Sequence, residues 1–308
     1  CTALGYQALQ SNTTANDNTA VGALALYLNT IAENNTAVGK GALVANTTGH
    51  SNTAVGSAAL DAETTGNNNT AVGYASLSNQ STATNNTAVG SFAGHSITTG
   101  NNNTAFGKSA LQNTTTASSN TAIGQSALLL NTTGTQNVAV GSNALDANTT
   151  ANSNVAVGHR TLTANTTGAQ NTAIGSQVLA ANTTATNNTG VGNECLQNNT
   201  TGANITALGA FSLRANTSGN QNVAVGTNAI ISNTTGTRNV GLGFESLSHV
   251  TTGSYNVGLG SYAGNAITTG TENVCIGDNV DVDSAGRNNS ITIGAGLTSI
   301  GENYFTFG

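Results

Sequence analysis

The feature that most constrains this chain is a glycine that returns every seventeen residues. It stands at Gly5, Gly22, Gly39, Gly56, Gly73 and onward to Gly294, eighteen occurrences with no insertion or deletion between them. A globular domain absorbs length changes in its loops. A stacked solenoid keeps its period, because each coil must lie in register on the one before. The repeat is therefore the architecture, and the 308 residues form one array rather than two globular domains.

With the motif glycine set at position 5 of a coil, position 1 is Asn at 15 of the 16 places from Asn18 to Asn273, Ile205 being the exception. Position 2 alternates between Thr19 or Thr36 and Val138 or Val155, and position 4 is always apolar, as in Val21, Phe106, Ile123 and Leu208. Positions 2 and 4 share one face of a strand by its two-residue period, and the small residue at position 3, usually Ala, takes the other. The spacing predicts a core built from Val21, Val38, Val55, Val72 and Val89 at position 4, together with Leu9, Leu43 and Leu60 at position 9. Positions 6 and 7 carry Lys40, Lys108, His159, Arg160, Glu194 and Glu245 and are expected in solvent. Gly22, Gly39, Gly56 and Gly73, with the Asn-Thr-Thr-Gly phrase at positions 12 to 15, mark the corners, since Gly and Asn reach left-handed dihedrals most readily.

Each coil is thus expected to hold two short strands joined by two tight turns, with the coils stacked parallel and in register. At ~4.8 Å per coil, eighteen coils make a rod of roughly 85 Å. The Asn residues of position 1 would stack in a ladder bonded along the axis. A helical reading fails, because Thr, Asn and Gly dominate and no apolar stretch keeps a 3.6-residue period. The predicted class is all-β: a parallel β-solenoid of 17-residue coils over 1–277, followed by degenerate coils, a cap or a junction over 278–308. A roll this thin buries few large side chains per coil. Packing against further copies would bury another face, with the small residue of position 3 or the Ala of position 8 as the contact strip, and a parallel homotrimer is the favoured assembly.

Composition narrows the function. Only 6% of residues are charged, the net charge is −6, and the six Lys and Arg residues are scattered, so the basic stripe that nucleic acid demands is missing. No run of 18 apolar residues is present to span a membrane as a helix. The chain enters the pattern at Cys1, where later coils carry Asn, as a segment of a longer array would.

Chemistry-bearing residues do not assemble into a known arrangement. The four histidines His50, His95, His159 and His249 fall at different coil positions without ligand spacing. Asp278, Asp281 and Asp283 form a calcium candidate that lacks the Gly and distal Glu of an EF-hand loop, and solvated turn carboxylates are the plainer reading. Cys195 and Cys275 each replace a small Ala and read as buried apolar residues. No Ser, His and Asp recur together as a triad would require. The chain is read as non-enzymatic and without a cofactor. The Asn-Thr-Thr and Asn-Thr-Ser sequons at Asn12, Asn46, Asn131 and Asn216 are glycan acceptors in a suitable host, but they are also the corner consensus.

The phrases Asn18 to Gly22 and Asn289 to Gly294 resemble the head repeats of trimeric autotransporter adhesins, and the fuller unit over Val21 to Val38 is similar to repeats of phage tail-fibre proteins. The resemblance implies a left-handed parallel β-roll in a homotrimeric fibre, extracellular on a virion tail fibre or a cell surface, presenting a face to a surface glycan or receptor. The coil here is longer than in typical adhesin heads. The alternative is an ice-binding solenoid, whose flat face would be the Asn and Thr of positions 12 and 14 or the Thr row of position 13.

Overall fold

The computed structural model describes all residues from Cys1 to Gly308. They form a parallel β-solenoid without a helix, built from 19 strands of three residues each. The chain divides into two compact units, Cys1–Ser153 and Asn154–Gly308. In the first, β1 (Thr2–Leu4) to β9 (Val138–Val140) pair parallel in succession, with Thr19 opposite Thr36, Ala20 opposite Ala37 and Val21 opposite Val38. In the second, β10 (Val155–Val157) to β18 (Ile291–Ile293) repeat that register. The step from β18 to β19 (Phe305–Phe307) is shorter, with Ile291 opposite Phe305, so pairing continues through the irregular end of the chain.

One strand per coil, rather than two, is the first correction. Positions 6 to 11 form a ribbon of turns, in which Leu24 and Leu26 adopt φ of 63° and 50° and Leu43 and Leu60 adopt 50° and 51°. Leu enters the left-handed region at a cost of roughly 1–2 kcal/mol, because its Cβ crowds the following carbonyl. Stacking holds it there: the Leu26 amide donates to the Ala42 carbonyl at 3.0 Å, and the Leu43 amide to Ala59 at 3.0 Å. The ribbon is thus hydrogen-bonded from coil to coil as a sheet is, without strand dihedrals.

The second correction concerns the inside of the roll. In the coil from Asn35 to Ser51 the buried residues are Asn35, Ala37, Ala42, Leu43, Asn46 and Gly49. Leu9, Leu43 and Leu60 are buried as the spacing predicts. Val21, Val38, Val72 and Val89 are only half-buried, and Val55 is 37% exposed. Positions 2 and 4 do share a face, but it is the outer one. The coil closes over the Ala of position 3, because a 17-residue turn leaves room opposite Leu for a methyl group and little more. Neither position 3 nor position 8 is therefore a contact strip between chains.

The corners divide by cause. Gly22, Gly39, Gly56 and Gly73 lie at φ between 131° and 140°, a region reserved for glycine, and a Cβ on Gly22 would come within 2.5 Å of the Gly39 carbonyl oxygen. The position-15 glycines do not share this backbone; Ala32 and Ala83 stand buried at the same place, and smallness is what the site requires.

Two asparagine columns hold the interior. At position 1, Asn35 donates through Nδ2 to the Gly49 carbonyl at 2.8 Å, while its Oδ1 accepts from the Asn52 amide at 2.9 Å. The axial ladder expected there is chiefly side chain to backbone. At position 12, amide bonds to amide: Asn46 Nδ2 donates to Asn29 Oδ1 at 3.0 Å and to the Gly49 carbonyl at 3.0 Å. Each buried amide thereby saturates backbone groups that water cannot reach.

Candidate functional site

With the interior filled by Ala, Leu and Asn, anything that recognises a partner must lie on one of three outward strips. The strand strip carries positions 2 and 4. Its apolar residues include Leu4, Val55, Phe106, Ile123, Ile174, Leu208 and Leu242, all exposed despite the unbroken apolar character of the column. The turn strip carries positions 6, 7, 10 and 11 and holds most of the charge, including an Arg214 to Glu194 ion pair at 3.0 Å. An open groove of about 390 Å3 lies beside that pair, lined by Asn198, Arg214, Ala215, Ile231 and Ser232. The corner strip carries Thr and Asn of positions 14, 16 and 17.

The corner strip is less suited to ordered water than the sequence spacing suggests. Asn of position 12 is turned inward, and the hydroxyl of position 13 is spent along the axis, as where Thr47 Oγ1 donates to the Thr64 carbonyl at 3.0 Å. Thr48 and Thr65 of position 14 remain exposed, a single Thr row. The sequons fare similarly. Asn46, Asn131 and Asn216 are buried, and their Nδ2 groups donate to Gly49, Gly134 and Gly219 carbonyls at 3.0, 2.9 and 3.0 Å. A glycan on any of them would have to displace those bonds; Asn12, half-buried at the first coil, donates to Ala15 at 3.2 Å.

The aspartates of the calcium candidate do not converge. Asp281 accepts the Ala266 amide on both oxygens at 2.9 and 2.8 Å, Asp283 pairs with Arg287, and no cluster of three such side chains is placed to hold a metal ion. Burial in an apolar surround raises Asp281 above the usual carboxylate range. It also pushes the Cys195 thiol up to about 11 and Cys275 up to about 12, Asp281 adding to the latter. Thiols held protonated in this way are poor nucleophiles and fill Ala-sized space.

Glu63 is a residue that composition and spacing did not single out. It occupies position 12, where most other coils have Asn, and is fully buried. Its Oε1 accepts from the Gly66 and Thr65 amides at 2.5 and 3.2 Å, and its Oε2 from Gln80. Burial raises its pKa. The amide ladder breaks here, and Asn46 Oδ1 is left without a donor; Asn233 Oδ1 is orphaned in the same way below Val250.

No protein-family model matches the chain, and a search of curated proteins gave no match.

Proposed function

We propose that the chain is a non-enzymatic structural segment of an extracellular fibre, a phage tail fibre or a bacterial surface adhesin, assembled as a parallel homotrimer. The strand strip carries this reading. A column of Val, Ile, Leu and Phe faces outward in each unit, coil after coil, where a solvated surface would alternate with polar residues. The occupant that fits is another copy of the same chain, because an in-register column of like residues meets its equal at every coil when copies run parallel about a common axis. Burying it supplies what each coil lacks, since Leu of position 9 is the one large side chain regularly held inside.

In this assembly the turn strip stays outermost and is the face presented to a surface glycan or receptor. Repetition sets length and the amide columns set stiffness. Sedimentation equilibrium tests the assembly: a mass near 91 kDa, three times 30.4 kDa, is expected, and a monomer mass overturns it. The exposed Thr row of position 14 keeps ice binding as the second reading, and thermal hysteresis in the purified protein would favour it.

A further inference from the structure

Two pairs of adjacent coils depart from the pattern in the same way. In the first unit, Tyr74 at position 6 meets Phe92 at position 7 of the next coil edge to face, with ring centroids 5.3 Å apart at 88°. In the second, Phe244 meets Tyr262 at the same coil positions, again 5.3 Å apart, at 82°. The partners have exchanged, Tyr for Phe and Phe for Tyr, while the pair is kept. Alongside lies a second exchanged pair. Asn79 at position 11 approaches His95 at position 10 of the next coil, Nδ2 to Nδ1 at 3.5 Å; in the second unit His249 holds position 11 and Asn265 position 10, with His249 Nδ1 2.8 Å from the Asn265 main-chain carbonyl oxygen and the Asn265 side-chain oxygen accepting from Ser248. His95 also packs against Phe92, with centroids 5.5 Å apart, which ties the rings to the turn strip.

The interior is rebuilt beneath both. Gly94 and Gly264 replace the Leu of position 9, and Ile97 and Ile267 replace the Asn of position 12, all fully buried. Ser76 and Ser246 replace the Ala of position 8. Phe92 and Tyr262 sit at φ of 59° and 56°, the left-handed backbone that position 7 also takes at Ala58, Ala75 and Phe211, so the rings are carried on the ordinary turn of the ribbon. Tyr74, Phe244 and Tyr262 are exposed.

The geometry points to two equivalent binding modules for neutral hexose saccharides, one at Tyr74, Phe92, Asn79 and His95 and one at Phe244, Tyr262, His249 and Asn265. A pyranose offers a C–H face and a rim of hydroxyls. The C–H face fits the negative face of an exposed ring, and the rim fits planar side chains that both donate and accept. None of the eight residues is a carboxylate or a fixed cation; the nearby Glu245 is turned to Asn228 Nδ2 at 3.3 Å, and Asp281, whose carboxyl interacts with His249, is held by the Ala266 amide at 2.9 and 2.8 Å, so neither carboxylate is free to pair with an ionic ligand. An apolar peptide anchor wants a concave pocket; Tyr74, Phe244 and Tyr262 instead stand exposed. The inference names the ligand class of the presented face and rests on the fibre reading for its setting.

The test is titration of the intact protein with neutral gluco-, galacto- and manno-configured oligosaccharides, beside a sialylated one. At least one neutral probe should bind, at two equivalents per chain. Tyr74→Ala with Phe92→Ala should leave one equivalent, and adding Phe244→Ala with Tyr262→Ala should weaken binding at least tenfold. Binding of the sialylated probe alone, no binding by any neutral probe, or retention of two equivalents in the fourfold variant overturns the inference. Sedimentation of the same samples separates the outcomes, since a trimeric parent protein that binds no neutral saccharide sinks this inference alone, whereas a monomeric parent protein sinks the assembly.

Discussion

Glu63 Oε2 accepts a hydrogen bond from Gln80 Nε2 at 2.7 Å, across one coil boundary inside the roll. Two backbone amides hold the other oxygen, and Asn46 Oδ1 in the preceding coil has no donor. Burial raises the Glu63 pKa in the folded chain above its ordinary 4.5, so folding favours the protonated acid. The contribution to stability is then fully present below about 4.5 and is lost as pH rises through the folded value. Glu63→Gln removes the charge and adds a donor in the ladder. Melting curves should place the variant above the parent at pH 7.5 and level with it at pH 4. Equal melting temperatures at both pH values would show that Glu63 carries no such penalty.

Glycine is required at position 5 and merely convenient at position 7. Gly73 has φ of 135°, and a Cβ there would come within 2.5 Å of the Gly90 carbonyl oxygen; Gly41 has φ of 68°, with nothing within 4 Å. Ala58 and Ala75 adopt φ of 55° and 51° at the place Gly41 fills. Gly73→Ala should destabilise by about 3 kcal/mol or more. Gly41→Ala should cost about 1–2 kcal/mol. Denaturant midpoints of the two variants check the contrast, and similar midpoints would mean that the stack does not depend on the position-5 contact.

Asn69 shows what the position-1 column contributes. Its Nδ2 donates to the Ala83 carbonyl at 2.8 Å and its Oδ1 accepts from the Asn86 amide at 2.9 Å, both buried. Asn69→Ala strands one backbone donor and one acceptor, at about 1–3 kcal/mol for each. A stability loss of roughly 2–6 kcal/mol is expected, together with faster amide exchange at Asn86. An unprotected Asn86 amide in the parent protein would contradict the bond itself.

What the sequence makes legible is whatever periodicity alone determines. An interval of seventeen without a gap fixes parallel, in-register stacking, and the invariant glycine fixes one corner. The inside of the strand is not fixed in this way. Period two places Thr19 and Val21 together and Ala20 opposite, but does not say which side the coil closes over. Size suggested Val, yet a narrow interior already occupied by Leu26 and two Asn columns admits only the methyl of Ala20. The turn ribbon is hidden for a different reason: Leu resists positive φ in isolation, so nothing local announces that Leu26 adopts it, and only the bond to Ala42 in the next coil makes it stable. On the turn strip, the His and aromatic residues look scattered one by one. Their pairing appears once coils are laid on one another, because Tyr74 and Phe92 lie eighteen residues apart and belong to different coils.

Ala88 and Val89 are neighbours in the strand Thr87–Val89 and test which side is which. Ala88 is fully buried and Val89 half-buried on the outward strip. Ala88→Asp places a carboxylate where it has neither water nor a partner, and should unfold the surrounding coils, at about 3 kcal/mol or more. Val89→Asp should leave the coil folded, with circular dichroism unchanged, and act instead on association, because a ring of like charges would then face itself across the strand strips of assembled copies. The expected result is a folded chain of lower sedimenting mass, with the loss partly reversed in high salt as the charges are screened. Lys108→Ala, on the turn strip, should alter neither reading. If Val89→Asp unfolds the chain as Ala88→Asp does, the outward placement of position 4 is wrong; if it stays folded and fully assembled, copies do not meet through this strip.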